Sequence, residues 1–178
     1  MTKKLRYILL ILFGTALFAQ GTVELPESFR AKFRQTITSD QNQKIIYSGE
    51  ILFSTPDHFK WSYNSPTKKE VCTDGKELLV VDHDLEQISS YTIKNGLNLP
   101  AILKSAKPHR KSVYIAKYRD NYYTIQVNSK GELSRIAFKD EMDNNVLIIF
   151  SKMKYGAKKL SERVMQCLQP KRYDRIGG

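Results

Sequence analysis

Three histidines and two cysteines are the residues best suited to nucleophilic, acid–base or metal chemistry, and their spacing supports little of it. His109 follows Pro108, and His58 lies two residues beyond Pro56, both in expected loops. Asp82-His83-Asp84 gathers three potential ligands. Adjacent residues on one short turn seldom close a coordination sphere, and no H-x-x-x-H or C-x-x-C spacing accompanies them. A polar hairpin tip accounts for the cluster. No G-x-S-x-G, P-loop or glycine-rich phosphate cradle is present. The sequence points to no catalytic residue, no metal site and no cofactor.

Charge offers a second kind of chemistry. The chain has 29 Lys and Arg against 18 Asp and Glu, a formal net charge of +11. Such an excess suits anionic partners, or merely a well-solvated surface. Tyr114, Lys117, Tyr118, Arg119, Tyr122 and Tyr123 interleave aromatic and basic residues, a pattern that can stack on single-stranded nucleic acid. The same residues satisfy strand alternation. The expectation is no nucleic-acid partner, because the chain reads as exported.

Export is read from the N-terminus. Lys3, Lys4 and Arg6 precede an apolar run over residues 7–18, with small residues at Ala19 and Gly21. This is the form of a secretory signal peptide. The run falls short of the roughly 20 residues that a bilayer span requires. No Cys directly follows it, so the chain is not itself expected to be lipid-modified. The expected division is a signal peptide over 1–21 and one domain over 22–178. An oxidising compartment permits a disulfide between Cys72 and Cys167. Each also sits among apolar residues in an expected strand, where a free Cys serves as a small hydrophobe, so both states remain open.

The elements that must position any site are mostly strands. Residues 29–37 alternate, with Phe29, Ala31, Phe33 and Ile37 against Arg30, Lys32 and Arg34. Phe29, Phe33 and Ile37 also fit helical spacing, but a strand gathers all three basic residues on one wet face. Further strands are expected at 49–53, 59–63, 70–73, 77–81, 87–93, 112–117, 122–127, 134–138 and 146–150, with another strand-like stretch at 164–168. Asp74-Gly75 marks a hairpin. Residues 78–81 are continuously apolar, so periodicity does not say which pair points inward. Leu97, Leu99, Ile102 and Leu103 fit a short apolar helix, with Asn98 as cap and Pro100 in its first turn. About ten strands without βαβ alternation argue for one mainly β domain, an antiparallel barrel or strongly curved sheet.

The inward-facing candidates are Phe29, Phe33, Ile51, Phe53, Phe59, Trp61, Tyr63, Ile136, Phe138 and Ile148. A barrel packed by its own side chains accounts for them without any ligand. The apolar helix near 97–103 favours a cavity slightly, as a plug or lid.

Order and spacing resemble one family. Ser28-Phe29-Arg30-Ala31-Lys32-Phe33-Arg34-Gln35 is similar to the S-F-x-A-x-F-x-Q strand of LolA-type outer-membrane lipoprotein carriers. Gly49, Ile51, Phe53, Pro56, Phe59-Lys60-Trp61, Ser65-Pro66 and Thr73-Asp74-Gly75-Lys76 resemble its central run, followed by residues 78–81 and Asp84-Leu85-Glu86-Gln87. Pro100-Ala101-Ile102-Leu103 resembles its later helix, and Pro170, Tyr173-Asp174 and Ile176 its closing segment.

The resemblance implies an incomplete, half-closed antiparallel β-barrel lidded by helices. It implies a periplasmic monomer that takes acylated lipoproteins from an inner-membrane ABC transporter to an outer-membrane acceptor. The ten inward residues would line the acyl cavity, with Leu97, Leu99, Ile102 and Leu103 as lid. A general lipid shuttle and a basic exported binder of nucleic acid or polysaccharide are the alternatives. Ionic strength separates the last, because counterion release weakens nucleic-acid binding steeply with salt. Two features depart from the family. Thr55 stands where many members carry a lid-bonding arginine, so the latch is weaker or built differently. Only residues 22–27 remain for the family's first helix, which leaves the lid to the 97–104 segment and a more open cavity.

Overall fold

The computed structural model describes residue 23, residues 25–92 and residues 99–177; the expected leader, Leu97 and the expected cap Asn98 lie outside them. The first six strands are β1 (Ser28–Thr38), β2 (Lys44–Ser54), β3 (His58–Ser65), β4 (Lys69–Thr73), β5 (Glu77–Asp82) and β6 (Gln87–Thr92). Helix α1 (Leu99–Ser105) follows, then β7 (Lys107–Arg110), β8 (Val113–Tyr118), β9 (Asn121–Val127), β10 (Leu133–Lys139) and β11 (Asn145–Gly156). A single helical turn, α2 (Glu162–Met165), and β12 (Asp174–Gly177) complete the chain.

All twelve strands join one sheet, ordered β12-β6-β5-β4-β3-β2-β1-β11-β10-β9-β8-β7. Neighbours are antiparallel except β12, which runs parallel to β6. The sheet does not close on itself. Register shifts at Arg30/Lys32, Ser48/Gly49 and Leu133/Arg135 mark irregular pairing, which bends strands and helps the sheet curl. In β1, Phe29, Ala31 and Phe33 are buried while Arg30, Lys32 and Arg34 are more exposed, so the strand reading holds over the helical one. The Asp74-Gly75 turn also forms: Gly75 adopts φ +87°. Asp74 accepts the N–H groups of Glu77 and Lys76, which hold its carboxyl below the usual range.

Because α1 joins β6 to β7, near opposite edges of the sheet, it lies across the opening of the curl. Leu99, Ile102 and Leu103 recur at helical spacing and are fully buried, while Lys104 is exposed. They join Phe29, Phe33, Ile51, Phe53, Ile125 and Ile136 in the main core on the concave face.

The convex face of β4–β6 carries a second core of Cys72, Val81, Ile88, Cys167 and Tyr173, with Leu79 packed against it. Here the structure corrects the expected strand at 164–168, and with it the expected strand setting of Cys167. Val164 and Met165 belong to α2, and residues 166–168 cross the outside of the sheet, where Cys167 is bonded to Cys72. Val164 and Leu168 are exposed, because the stretch has only one covered side and forms no strand ladder. Two short strands, β7 and β12, carry no alternating apolar pattern and escape sequence reading; all four residues of β7 are exposed.

Candidate functional site

On the concave face, cross-strand partners place Phe59 opposite Thr73, Trp61 opposite Val71 and Tyr63 opposite Lys69. Gln35, Phe59, Trp61, Tyr63, Val71, Thr73, Leu78, Leu99, Phe138 and Ile148 line a partly open cavity of about 270 Å³. Leu78 therefore faces inward, while Leu79 and Val81 serve the outer core, resolving the continuous 78–81 run.

The ten sequence candidates divide in two. Phe59, Trp61, Tyr63, Phe138 and Ile148 line the cavity. Phe29, Phe33, Ile51, Phe53 and Ile136 are packed away beneath it, each at most 3% exposed. Of the residues expected to form a lid, Leu99 reaches the cavity, and Leu103 lines a second recess with Val23, Leu25, Phe53, Thr55 and Pro56. Gln35, Val71, Thr73 and Leu78 were missed. Alternation around Trp61 and its expected hairpin partner was the signal that could have found Val71 and Thr73.

The wall is held by ring contacts. Phe33 meets Trp61 edge-on at 4.9 Å and Tyr63 at 5.1 Å, and Trp61 lies 6.3 Å from Phe150. Such contacts fix large apolar surfaces without adding charge. One end of the cavity is more polar. Tyr63 donates its hydroxyl hydrogen to Gln35 Oε1 at 3.2 Å, and burial, then the neighbouring Tyr47, pushes its phenol up to about 12.

The two departures acquire a geometry. Thr55 Oγ1 donates to Glu27 Oε2 at 2.7 Å, and Thr55 N to Glu27 O at 2.9 Å. The threonine thus ties down the N-terminal segment. Residues 25–27 form no helix, but Val23 is buried in the main core and Leu25 packs against it. The N-terminal segment therefore shares with α1 the cover that sequence reading gave to the 97–104 stretch alone.

The other chemistry candidates are engaged elsewhere. Asp82 Oδ1 accepts the N–H groups of Asp84 and Leu85, and Asp84 Oδ2 accepts that of Lys68. His83 Nδ1 lies 3.1 Å from the Tyr173 hydroxyl. Among the described residues no three His, Cys, Asp or Glu side chains are placed so that they could hold a metal ion together. The tyrosine-rich segment is split by alternation: Tyr114, Tyr118 and Tyr123 pack toward the main core, whereas Lys117 and Tyr122 pair outside it at 5.6 Å. Besides the Leu103 recess, at about 300 Å³, two other cavities are larger. One of about 380 Å³ lies beside the disulfide and includes Asp74, Glu77 and Glu162. One of about 780 Å³ lies at the β8–β9 and β10–β11 turns, among Arg119, Asp120, Lys139, Asp140 and Asp143. Their charged linings suit an acyl chain less than the interior one does.

The family model described as "Outer membrane lipoprotein carrier protein LolA" matches residues 25–116. A Campylobacter jejuni outer-membrane lipoprotein carrier protein is 33% identical over 83% of this chain and 85% of its own. Its Wolinella succinogenes counterpart is 31% identical over 80% and 82%. Among solved structures, an uncharacterised conserved protein from Thermus thermophilus superposes with a TM-score of 0.56 at 11% identity, covering 86% of this chain and 92% of that one. A LolA superfamily protein from Nitrosomonas europaea gives 0.51 at 10% identity, covering 82% and 93%. These two likenesses speak for the fold.

Proposed function

The chain belongs to the LolA family of outer membrane lipoprotein carrier proteins, and from that premise we propose that it carries lipoproteins by holding their acyl chains beneath α1. The observation that carries the reading is the apolar cavity walled by Phe59, Trp61 and Tyr63 and covered by Leu99. Each buried CH₂ is worth about 0.8 kcal/mol, so an acylated protein does not leave a membrane for water unless an apolar site replaces the bilayer.

At about 270 Å³ the cavity sits at the small end of ligand pockets. A load of several chains therefore requires α1 to move. The lid is suited to this, being seven residues long and buried through Leu99, Ile102 and Leu103. Acyl chains replace those side chains like for like, so exchange of lid for lipid costs little. The sequence holds no nucleotide-binding motif, and loading then draws its energy from an ABC transporter in the inner membrane. Delivery to the outer-membrane acceptor follows differences in affinity, with no bond made or broken by the carrier.

On this reading residues 1–21 are a signal peptide, and residues 22–178 act as a monomer in the periplasm. The Cys72–Cys167 disulfide supports an oxidising compartment. The test is release of labelled lipoproteins from spheroplasts bearing the cognate transporter, with the purified 22–178 chain added outside. A soluble complex of carrier and acylated lipoprotein at low and high salt is expected. No release by a folded carrier from an active transporter overturns the reading.

A further inference from the structure

Alternation on β4 places Lys69, Val71 and Thr73 on the concave face, and the last two line the cavity. Lys69 is the next inward position toward the turn at 66–68, just outside the cavity lining, in a neighbouring recess that shares Tyr63 with it and also includes Glu70 and His83. It is half-buried. Its ammonium lies 5.2 Å from the Tyr63 ring centroid and 5.9 Å from that of Tyr47. No carboxylate stands within ion-pairing distance of it among the described residues. Asp82, its cross-strand partner, already accepts two backbone N–H groups, and neighbouring Glu70 faces outward to Lys60. Beside the lysine, Tyr63 donates to Gln35 and keeps its proton at neutral pH, which leaves the Gln35 amide hydrogens without a partner among the described residues.

A cation over two rings, ion-paired to no carboxylate among the described residues and sharing Tyr63 with an apolar slot, is complementary to a chain with an anionic head. The slot's volume suits one chain. We propose that the cavity binds a single-chain anionic amphiphile, with the acyl tail along Phe59 and Trp61 and the head on the Lys69 ammonium and Gln35 amide. A fatty-acid carboxylate and a lysophospholipid phosphodiester share this chemistry. The proposal rests on the cavity being an acyl site, and it adds a ligand other than a lipoprotein. Such a ligand occupies the closed form, with α1 in place, and lipoprotein loading must displace it.

Trp61, the single tryptophan, lines the slot and reports occupancy through its emission. The experiment titrates the purified 22–178 chain at pH 8 with laurate, methyl laurate and lauroyl-lysophosphatidylglycerol, each below its micellar concentration. Laurate is expected to bind about tenfold more tightly than its uncharged ester, the scale of one charge-assisted contact. Lys69→Met is expected to abolish that preference while leaving ester binding intact. The lysophospholipid arm identifies the source: binding of both anions shows the shared site, and binding of one selects that head. Equal affinity for laurate and its ester overturns the proposal on the unaltered protein, independently of how the variant folds. A preference that survives Lys69→Met also overturns it. A chain that releases lipoproteins yet does not discriminate the two loses this proposal alone; one that fails both assays loses the carrier reading as well.

Discussion

Phe33 on β1 and Tyr63 on β3 meet ring to edge at 5.1 Å although β2 separates their strands. They meet because Gly49 stands between them in the ladder, paired with Phe33 on one side and Tyr63 on the other. The glycine supplies no side chain, and the rings close over it, as aromatic neighbours commonly do over a strand glycine. A Cβ at this position would collide with the backbone carbonyl of Ser62 and press on the Phe33 ring.

Gly49→Ala is therefore expected to destabilise the fold by about 1–3 kcal/mol, the usual cost of overpacking. The drop should appear as a lower urea midpoint. An unchanged midpoint would show that β2 and β3 shift apart freely, against the tight Phe33–Tyr63 contact.

Trp61→Glu places a carboxylate on the cavity wall without a counter-charge, among Phe33, Phe150 and any bound acyl chain. Lipoprotein release is expected to fall to background, and Trp61→Phe to retain most of it. Circular dichroism separates lost loading from lost folding. Normal release by a folded Trp61→Glu chain would remove this wall from the acyl path.

Lys60 and Glu70 form an ion pair at 3.0 Å on the convex face, and each also holds the crossing segment, Lys60 through Gln166 O and Glu70 through the Leu168 N–H. The Cys72–Cys167 bond spans 95 residues beside them. Closing so long a loop removes much unfolded-chain entropy, so a Cys72→Ser, Cys167→Ser chain should lose about 2–5 kcal/mol. Hydrogen exchange should rise first in β12 and around Tyr173. Uniform loosening of β1, β2 and β11 would instead place the bond's effect in the main core.

Alkaline pH supplies a fourth test. The Tyr63 phenol, ordinarily at 10.0, is pushed up to about 12 in the fold, so the folded state holds its proton more tightly than the unfolded chain does. The linked stability is complete below pH 10 and is lost as pH rises from 10 toward 12, by at most about 2–3 kcal/mol. Tyr63→Phe should flatten this part of the stability profile and remove the latest-titrating phenolate absorbance. Tyr123 and Tyr155 are also raised by burial and will keep some slope. An identical profile in the variant would mean that Tyr63 titrates like an exposed phenol.

Much of this was legible locally. Alternation in β1 and β3 set Phe29, Phe33, Phe59, Trp61 and Tyr63 on one face, because side-chain direction in a strand has a period of two residues. Apolar spacing at Leu99, Ile102 and Leu103 marked α1, and Asp74-Gly75 its hairpin. These signals need only nearest neighbours along the chain.

What lay beyond the sequence depends on which distant segments pack together. Alternation could not tell cavity lining from packed floor: Phe53 and Phe59 both point inward, yet of the two it is Phe59 that reaches the slot. That difference is set by where α1 ends and how the sheet curls. Nor could it orient residues 78–81, since both faces of β5 are covered, one by the cavity and one by the outer core. The pairing of Cys72 with Cys167 and the parallel seat of β12 on β6 required the C-terminal segment to cross the convex face. Thus the sequence by itself determined most of the strands and the inward faces of those that alternate, through local periodicity. The tertiary structure alone decided the open edge, the depth of the slot and the seat of the Lys69 ammonium over Tyr47 and Tyr63, because these arise from contacts between residues far apart in the chain.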